Sequence, residues 1–281
     1  MELVAHLLEQ TAYHQFLTAM YMPPPGDIRN CPETADLLHL IQEGRFALVK
    51  SYDTFGAYFG CAAELYEMIP TLHKFLAMRN LELSTGRDLG CDKEFSRLQN
   101  EIALWRPPQI RTWYTNFYQH TETWLTAPGG TCNDQNLSQG EEVSAAAASD
   151  IDAAMIASAQ VIQNTLLLFL SSAYLRHPSD NHRLRVATQP IVDEAMELSD
   201  KIRGTTWENT TWWPMVIVGS YMTEPRQREE LLTRFRSFRP PMGIVSRGME
   251  LLKEVWEAPD DVFGLDGLSR LVGNGGAYCF G

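Results

Sequence analysis

One apolar segment bounded by two prolines constrains the fold more than any other feature of this sequence. It runs from Trp212 to Met222, and the turn after it reaches Pro225. A proline in the first turn of a helix loses no hydrogen bond, because the N–H that it lacks would have had no partner there. The pair Trp213-Pro214 therefore predicts the start of a helix. The residues that follow are almost all apolar, which predicts a helix that is buried on most sides.

The rest of the chain has the pattern of amphipathic helices that could surround this buried helix. Apolar residues recur at spacings of three and four in segments that end near Pro or Gly. These segments are Glu2–Tyr21, Thr34–Lys50, Ser51–Ile69, Pro70–Leu83, Lys93–Trp105, Ile110–Leu125, Glu141–Arg176, Thr188–Ile202, Pro225–Phe238 and Val245–Trp256. The alternation at period two that is typical of strands is missing. We therefore predict an all-α fold, a multi-helix bundle or an array of helical pairs with about ten or more helices.

A polar segment interrupts the helical pattern near the middle of the chain. It begins with Pro128-Gly129-Gly130 and continues with Thr, Asn, Asp, Gln and Ser. This composition is typical of a loop or a disordered linker. Since a helical bundle can carry such an insertion, we predict one all-helical domain of regulatory type over residues 1–281, with a flexible insertion near residues 127–149.

Charge and cysteine content exclude several classes of protein. The net charge of −12 argues against direct nucleic-acid binding by this chain, because an acidic surface repels phosphate backbones. The five cysteines are far apart and form no C-x-x-C pair, as expected of reduced intracellular thiols. The longest strictly apolar run, Leu166 to Leu170, is far shorter than the roughly 20 residues of a membrane span. We therefore predict no signal peptide and no membrane span.

No catalytic or metal-binding motif stands out in the sequence. His177 and His182 flank Asp180, which could bind a metal, but a solvated loop between helices explains them more simply. Neither a G-x-S-x-G elbow nor a phosphate-binding loop after a strand is present. We predict no metal and no cofactor, and the catalytic residues, if any exist, are unknown.

The segment Ser51–Ile69 carries the strongest aromatic stripe of the chain. Its apolar residues at helical spacing are Phe55, Tyr58, Phe59, Ala62, Leu65, Tyr66 and Ile69. Core packing is the simpler interpretation of this stripe. The functional interpretation is one wall of a cavity, because sites for apolar ligands are lined by aromatic side chains.

Four short motifs occur together in an order that resembles a known family. They are a tryptophan-proline-proline helix end, a tryptophan-proline helix that leads to a glycine, an arginine nine residues later, and a helix that ends in an apolar-tryptophan pair. In this sequence they are Trp105-Arg106-Pro107-Pro108, Trp213-Pro214 to Gly219, Arg228, and Leu251-Leu252-Lys253-Glu254-Val255-Trp256. The chain from about Gly60 to Asp261 thus resembles the C-terminal regulatory domain of fungal zinc-cluster transcription factors.

The resemblance implies an all-helical domain that senses a ligand or partner and controls activation. Some members of the family resemble sterol sensors, with a hydrophobic pocket and a dimeric domain. The cysteine-rich DNA-binding cluster is absent from this sequence, so DNA binding is not carried over. The chain is either a regulatory domain cut from a longer protein or a free-standing relative.

These observations lead us to predict a regulatory domain that senses a hydrophobic small molecule (a sterol, lipid or secondary metabolite) in an interior pocket. We expect a possible homodimer, located in the nucleus or the cytoplasm or both. The candidate ligand-binding residues are Phe55, Phe59, Tyr66, Phe169, Trp213, Met222, Tyr278 and Phe280. Tyr278 and Phe280 belong to a glycine-rich tail that could be a lid or a loosely packed terminus.

Two alternatives stay open at this point. One is a free-standing, cofactor-independent enzyme, of cyclase or isomerase type, that reuses the scaffold on an apolar metabolite. It would need a pocket that excludes solvent and holds an Asp, Glu or His with a shifted pKa. The other is a pure interaction module, for which a large exposed apolar patch is expected.

Overall fold

The structure, a computed structural model, describes residues 7–13, 16, 47, 50, 56, 58–107, 145–237, 243–259 and 263–275. In this part of the chain the regular elements are helices, with no strand, so the all-α prediction is confirmed. We number nine α-helices: α1 Ala63–Glu67, α2 Ile69–Thr85, α3 Cys91–Leu104, α4 Ala145–Tyr174, α5 Asn181–Ile202, α6 Glu208–Ser220, α7 Pro225–Ser237, α8 Gly243–Glu257 and α9 Gly264–Gly275. Residues 7–13 and 16 are helical as well. The predicted count of ten or more helices is not confirmed by the described residues.

Two helices hold the core together. The 30-residue helix α4 packs against α1, α2, α3, α5, α6 and α9. Helix α6 packs against α4, α5, α7, α8 and α9. By length and composition residues 153–174 could cross a membrane, but 72% of that stretch is buried against the rest of the protein, as in a core helix. The hydrophobicity of α4 is therefore explained by its central position in the fold.

Helix α6 is buried as predicted, but it begins earlier than predicted. Every residue from Thr211 to Ser220 is buried. The helix starts at Glu208, so Pro214 lies inside it and does not open it. A proline inside a helix removes the donor for the carbonyl four residues before it, here Thr210. The Tyr13 hydroxyl donates to the Thr210 carbonyl at 2.8 Å, and this bond compensates for the donor that Pro214 lacks.

Helix α5 also contains an interior proline that the sequence pattern misplaces. The helix begins at Asn181, after a short 3-10 helix over Pro178–Asp180, so the predicted loop around His182 is helical. Pro190 lies inside the helix instead of near its start. The carbonyl that loses its donor belongs to Val186, whose side chain is 62% exposed, so water can reach this turn.

The predicted single helix over residues 51–69 is wrong. Residues 58–61 form a turn, and α1 covers only Ala63–Glu67. Gly56 and Gly60 have positive φ values of 115° and 53°, which no right-handed helix contains. The stripe residues Phe59, Ala62, Leu65, Tyr66 and Ile69 are nevertheless all buried.

Within the glycine-rich C-terminal part of the sequence, Gly264–Gly275 forms a helix that the sequence pattern missed. Leu265 and Leu268 of α9 are fully buried. Gly264, at the start of α9, has a φ of 62°, and a Cβ there would lie 2.4 Å from the Tyr221 ring. The Tyr221 hydroxyl accepts a hydrogen bond from the Leu265 N–H at 3.2 Å. Tyr221, directly after α6, thus supplies a hydrogen-bond acceptor for a backbone N–H in the first turn of α9.

Several predicted features lie outside the described residues. They include most of Thr34–Lys50 and all of the segments Ile110–Leu125 and 127–144. Of the predicted insertion near 127–149, residues 145–149 are described, and they belong to α4.

Candidate functional site

Five aromatic side chains from two separate parts of the chain pack against one another. We call them the ring cluster: Tyr13, Phe16, Tyr58, Phe59 and Tyr66. Phe59 is the central ring, with centroid distances of 5.0 Å to Tyr66, 5.7 Å to Tyr13 and 5.7 Å to Phe16. All three contacts are edge-to-face, a geometry worth about 0.5–1.5 kcal/mol each beyond the buried area. The ring cluster is therefore well packed.

A buried carboxylate lies beside the ring cluster. Glu9 is 1% exposed, and its oxygens accept hydrogen bonds from three backbone N–H groups, which we call the amide nest: Gly56, Tyr58 and Phe59. The donor distances are 2.9 and 3.0 Å from Gly56 to the two oxygens, 2.8 Å from Tyr58 and 3.4 Å from Phe59. Successive N–H groups that converge in a turn form an anion-binding site. The nest explains how a charged group is accommodated in the interior.

The hydroxyl groups of the ring cluster stay protonated over a wide pH range. Burial raises the pKa of Tyr13, against a smaller lowering by its hydrogen bond with Tyr66. Burial also raises the pKa of Tyr66 well above its usual value. The pKa of Tyr58 is raised by burial and by the negative charge of Glu9. The cluster thus offers apolar rings with a few neutral hydroxyls and one anion-holding turn, and no nucleophile.

The structure brings two of the predicted site residues together. Phe59 and Tyr66 both belong to the ring cluster. Phe169 on α4 instead has an edge contact with His73 at 5.2 Å, and Trp213 has one with Trp212 at 5.5 Å. These residues and Met222 are buried in the core. Phe55, Tyr278 and Phe280 lie outside the described residues. The ligand-binding role of all these residues stays a prediction.

Two hollows are found elsewhere, and none of the predicted site residues lines either of them. One is a cavity of about 20 Å³, with room for about one water molecule, lined by residues of α5, α6 and α7. The other is an open groove of about 560 Å³ between α5 and the start of α7. In that groove Gln189 and Gln227 both donate to the Asp193 carboxylate, at 2.8 and 2.7 Å. Neither hollow is the interior hydrophobic pocket that the sequence predicts.

Metal chemistry has no support in the described part of the chain. Among these residues, no group of three or more His, Cys, Asp or Glu could hold a metal ion. His177 pairs with Ser179 at 2.7 Å, and Asp180 pairs with Arg183, so the predicted metal candidates make local contacts of their own.

The later sequence motifs converge in one structural unit at the end of α6. We call it the carboxyl-end lock: Gly219, Met222, Arg228 and Trp256. The Trp256 indole N–H donates to the Gly219 carbonyl at 2.9 Å, and the Arg228 Nε donates to the Met222 carbonyl at 2.9 Å. The Arg228 guanidinium lies 5.3 Å from the Trp256 ring centroid, within cation–π range. The side chains of Trp256 and Arg228 thus donate to one carbonyl in the last turn of α6 and to one in the turn that follows it.

Glycine is required in the lock for reasons of space. A Cβ at position 219 would lie 2.5 Å from Leu231 and 3.0 Å from Leu252. The motif order in the sequence therefore reports close packing of α6 against α7 and α8. Burial lowers the pKa of Arg228, helped by the charge of Arg185, as expected of a structural arginine that is partly desolvated.

The sequence pattern missed part of the buried face of the N-terminal helix. Leu7 and Leu8, which belong to its apolar stripe, are 50% and 41% exposed. Phe16 of the stripe is buried, together with Glu9 and Tyr13, which the stripe does not include. Glu9, Tyr13 and Phe16 are spaced at i, i+4 and i+7, which puts them on one face of a helix. A search for that spacing that allowed one acidic residue among the apolar ones would have identified this face.

Comparison with known proteins adds one finding. The model of the family described as fungal specific transcription factor domain matches residues 51–264, well over half of the chain. This range includes the carboxyl-end lock and the part of the ring cluster from Tyr58 to Tyr66. No curated protein and no solved structure matches the chain.

Proposed function

Because this chain belongs to the family of the fungal specific transcription factor domain, we propose that it regulates transcription in response to a hydrophobic small molecule. Family membership supports the regulatory role. The ligand class, a sterol, lipid or secondary metabolite, and the place where it binds are our proposal. We place the ligand at the ring cluster.

The composition of the ring cluster is the observation that carries this proposal. Small-molecule sites are mostly apolar and aromatic, with a few convergent polar groups that fix the ligand. The cluster combines five rings with the hydroxyls of Tyr13 and Tyr66 and the buried carboxylate of Glu9. A cluster that served only as core would be more stable without a buried carboxylate, because moving a charge out of water costs free energy.

A ligand at the ring cluster can influence the core of the domain, because the cluster is hydrogen-bonded to α6. Tyr13 joins the cluster to α6 through the Thr210 carbonyl. A ligand that binds one arrangement of Tyr13 better than another shifts the population of that arrangement. We propose that a change in the position of Tyr13 changes its hydrogen bond with Thr210 on α6. Through α6 this change would alter a surface that binds a partner, either a second copy of the chain or another protein. This role places the chain in the nucleus, or in the cytoplasm before it enters the nucleus.

The enzyme alternative has less support. It needs a titratable group in a pocket that excludes solvent, positioned to act on a substrate. In the described residues, the carboxylate nearest to such a description is Glu9, which is held by three backbone donors. The oxygens of Glu9 are thus already engaged by the backbone, which does not suit a group that exchanges a proton with a substrate.

Thermal unfolding of the purified chain with a panel of sterols, fatty acids and apolar metabolites tests the proposal. We expect at least one class to raise Tm, since a ligand that binds only the folded protein stabilises it. Phe59→Ala removes the central ring and should abolish the shift. Phe235→Ala is the matched control, because Phe235 is an equally buried phenylalanine on α7, outside the ring cluster.

The outcome of this panel decides the proposal. A Tm shift that survives Phe235→Ala and is lost in Phe59→Ala supports a ligand at the ring cluster. The proposal fails when no compound shifts Tm and a reporter gene driven by this chain, fused to a DNA-binding domain, does not respond to any of them.

A further inference from the structure

We propose that the ligand is an apolar carboxylic acid, and that Glu9, Tyr13 and Phe16 occupy its place in the ligand-free protein. This inference rests on the proposed function and goes beyond it by naming the chemical class and the group that holds it. The ligand carboxylate takes the position of the Glu9 carboxylate in the amide nest. The apolar body of the ligand takes the position of the Tyr13 and Phe16 rings.

The amide nest selects for a carboxylate. It consists of N–H donors only, three of them within 2.8–3.4 Å of the Glu9 oxygens. Hydrogen bonds from N–H groups to an ionised oxygen are about twice as strong as those between neutral groups. An alcohol brings one oxygen and no charge, so it satisfies the nest less well. Gly56 has a positive φ, and in this conformation its N–H points at the same carboxylate as the N–H groups of Tyr58 and Phe59.

The N-terminal helix has the shape of such a ligand. Glu9, Tyr13 and Phe16 lie on one helical face at i, i+4 and i+7, with the carboxylate at one end and two rings beyond it. Seven residues of helix span about 10 Å. The face therefore presents a carboxylate followed by about 10 Å of apolar surface, which is the pattern of a medium-chain carboxylic acid.

The receiving surface belongs to other parts of the chain. Phe59 and Tyr66 contact both Tyr13 and Phe16, and the nest is formed by the backbone around Phe59. The opposite face of the N-terminal helix carries Leu7 and Leu8, which are 50% and 41% exposed. In the described part of this helix, the side chains that pack against the ring cluster thus lie on the face that the ligand would replace, so ligand and helix compete for one surface.

Decanoate is the probe that tests this inference, with 1-decanol as its neutral counterpart. Isothermal titration of the full chain should show decanoate binding, with 1-decanol at least tenfold weaker. A ligand that competes with an internal group binds with an apparent affinity reduced by the fraction of open sites. Glu9→Ala should therefore raise the decanoate affinity at least tenfold and leave the 1-decanol affinity nearly unchanged. Glu9→Gln keeps an oxygen acceptor without the charge, so its decanoate affinity should be intermediate.

A matched control separates the nest from general charge repulsion. Glu64→Ala removes an exposed glutamate from α1, close in sequence to the ring cluster, and should change the decanoate affinity less than threefold. Amide NMR provides a second measurement that does not depend on any variant. Decanoate should shift the Gly56, Tyr58 and Phe59 amide signals of the unmodified chain, whereas 1-decanol should not.

The outcomes distinguish this inference from the proposed function. Equal binding of decanoate and 1-decanol, or decanoate binding without shifts of the nest amides, overturns the carboxylate inference and leaves a hydrophobic ligand in place. The carboxylate inference is also overturned if Glu64→Ala raises the decanoate affinity as much as Glu9→Ala does. Failure of every apolar compound to bind overturns the proposed function itself.

Discussion

Helix α6 is held at its two ends by two different devices. At its carboxyl end, the lock of Gly219, Met222, Arg228 and Trp256 supplies side-chain donors to two carbonyls. In its first half, the Thr210 carbonyl that Pro214 leaves without a donor accepts the Tyr13 hydroxyl. Both devices supply side-chain donors to carbonyls of α6 or of the turn that follows it. They differ in where the donors come from.

The difference lies in sequence separation and in polarity. The lock uses residues within 37 positions of one another, whereas Tyr13 and Thr210 are 197 positions apart. The lock consists of partners that pack against the core without a buried carboxylate. Beside the ring cluster lies Glu9, a buried carboxylate that accepts hydrogen bonds from three backbone N–H groups. The comparison teaches that the lock joins residues that are near in sequence, whereas the cluster depends on a distant segment, the one that we propose a ligand replaces.

Removal of the lock tryptophan should have the largest effect on stability. Trp256→Ala deletes a ring that packs on the core and the donor to Gly219, and should lower the free energy of unfolding by about 3 kcal/mol or more. Trp105→Ala is the control, because Trp105 is also half-buried but its indole N–H donates to the exposed Glu64. Urea unfolding compares the two variants. Equal losses would show that the lock adds nothing to the packing that another half-buried tryptophan provides.

Alkaline pH should weaken the ring cluster selectively. Burial raises the folded-state pKa of Tyr13 and Tyr66 above that in the unfolded chain. The folded state then holds more protons, so their contribution is fully present below about pH 10 and is lost as the pH rises through the folded-state pKa values. The loss reaches up to about 3 kcal/mol per pH unit for the two tyrosines together.

Tyr221 is buried with a raised pKa as well, so the comparison is made between variants. Urea unfolding at pH 9 and pH 11 should show a smaller pH effect after Tyr13→Phe with Tyr66→Phe than in the unmodified chain. The same pH effect in both proteins would mean that these two hydroxyls are not buried in the folded state.

A methyl group at the lock glycine should destabilise the protein by overpacking. Gly219→Ala places a Cβ 2.5 Å from Leu231 Cδ2, which should cost about 1–3 kcal/mol. Adding Leu231→Val shortens the opposing side chain and should recover part of the loss. Tm measurements on the single and double variants check this. A Gly219→Ala protein as stable as the original would refute the close packing of α6 on α7.

The bond between Tyr13 and α6 should show a smaller effect with a specific rescue. Tyr13→Phe leaves the Thr210 carbonyl without its donor and should cost about 1 kcal/mol. Pro214→Ala restores the helical N–H that this carbonyl lacks. In a double-mutant cycle, the tyrosine substitution should therefore cost less in the Pro214→Ala background, with a coupling energy of about 1 kcal/mol. Additive costs would contradict the assignment of Tyr13 as the substitute donor.

Much of the fold follows from local sequence patterns. The apolar run after Trp213 predicts a buried helix, and every residue from Thr211 to Ser220 is buried. The long segment Glu141–Arg176 predicts one long helix, which the structure has as α4. The proline at position 225 opens α7 as predicted. In each case the deciding signal, apolar period or proline position, lies within the helix itself.

The errors share a physical cause, since each depends on a partner that is distant in sequence. Pro214 is tolerated inside α6 where Tyr13 serves the freed carbonyl. The chain turns at residues 56–60 around a carboxylate from residue 9, so the helical spacing of residues 51–69 does not produce one helix. The glycine-rich α9 forms where Tyr221 holds its first turn. Sequence spacing cannot reveal such partners.

The candidate site follows the same division. Phe59 and Tyr66 are found from their place in an aromatic stripe. Glu9 and Tyr13 were missed because the apolar stripe of the first helix drew attention to Leu7 and Leu8, which are half-exposed. Gly219, Arg228 and Trp256 of the lock follow from the shared signature in the sequence, but their common role at the end of α6 is visible only once the helices are packed.

Amide hydrogen exchange of the ligand-free chain tests the central claim most directly. The claim is that the ring cluster opens while the lock stays closed. The Tyr58 and Phe59 amides, which donate to Glu9, should exchange through an opening of lower free energy than the Tyr221 and Met222 amides at the end of α6. Decanoate should slow the first pair and leave the second pair unchanged. Exchange of all four amides with one common opening free energy, equal to that of global unfolding, would contradict the account.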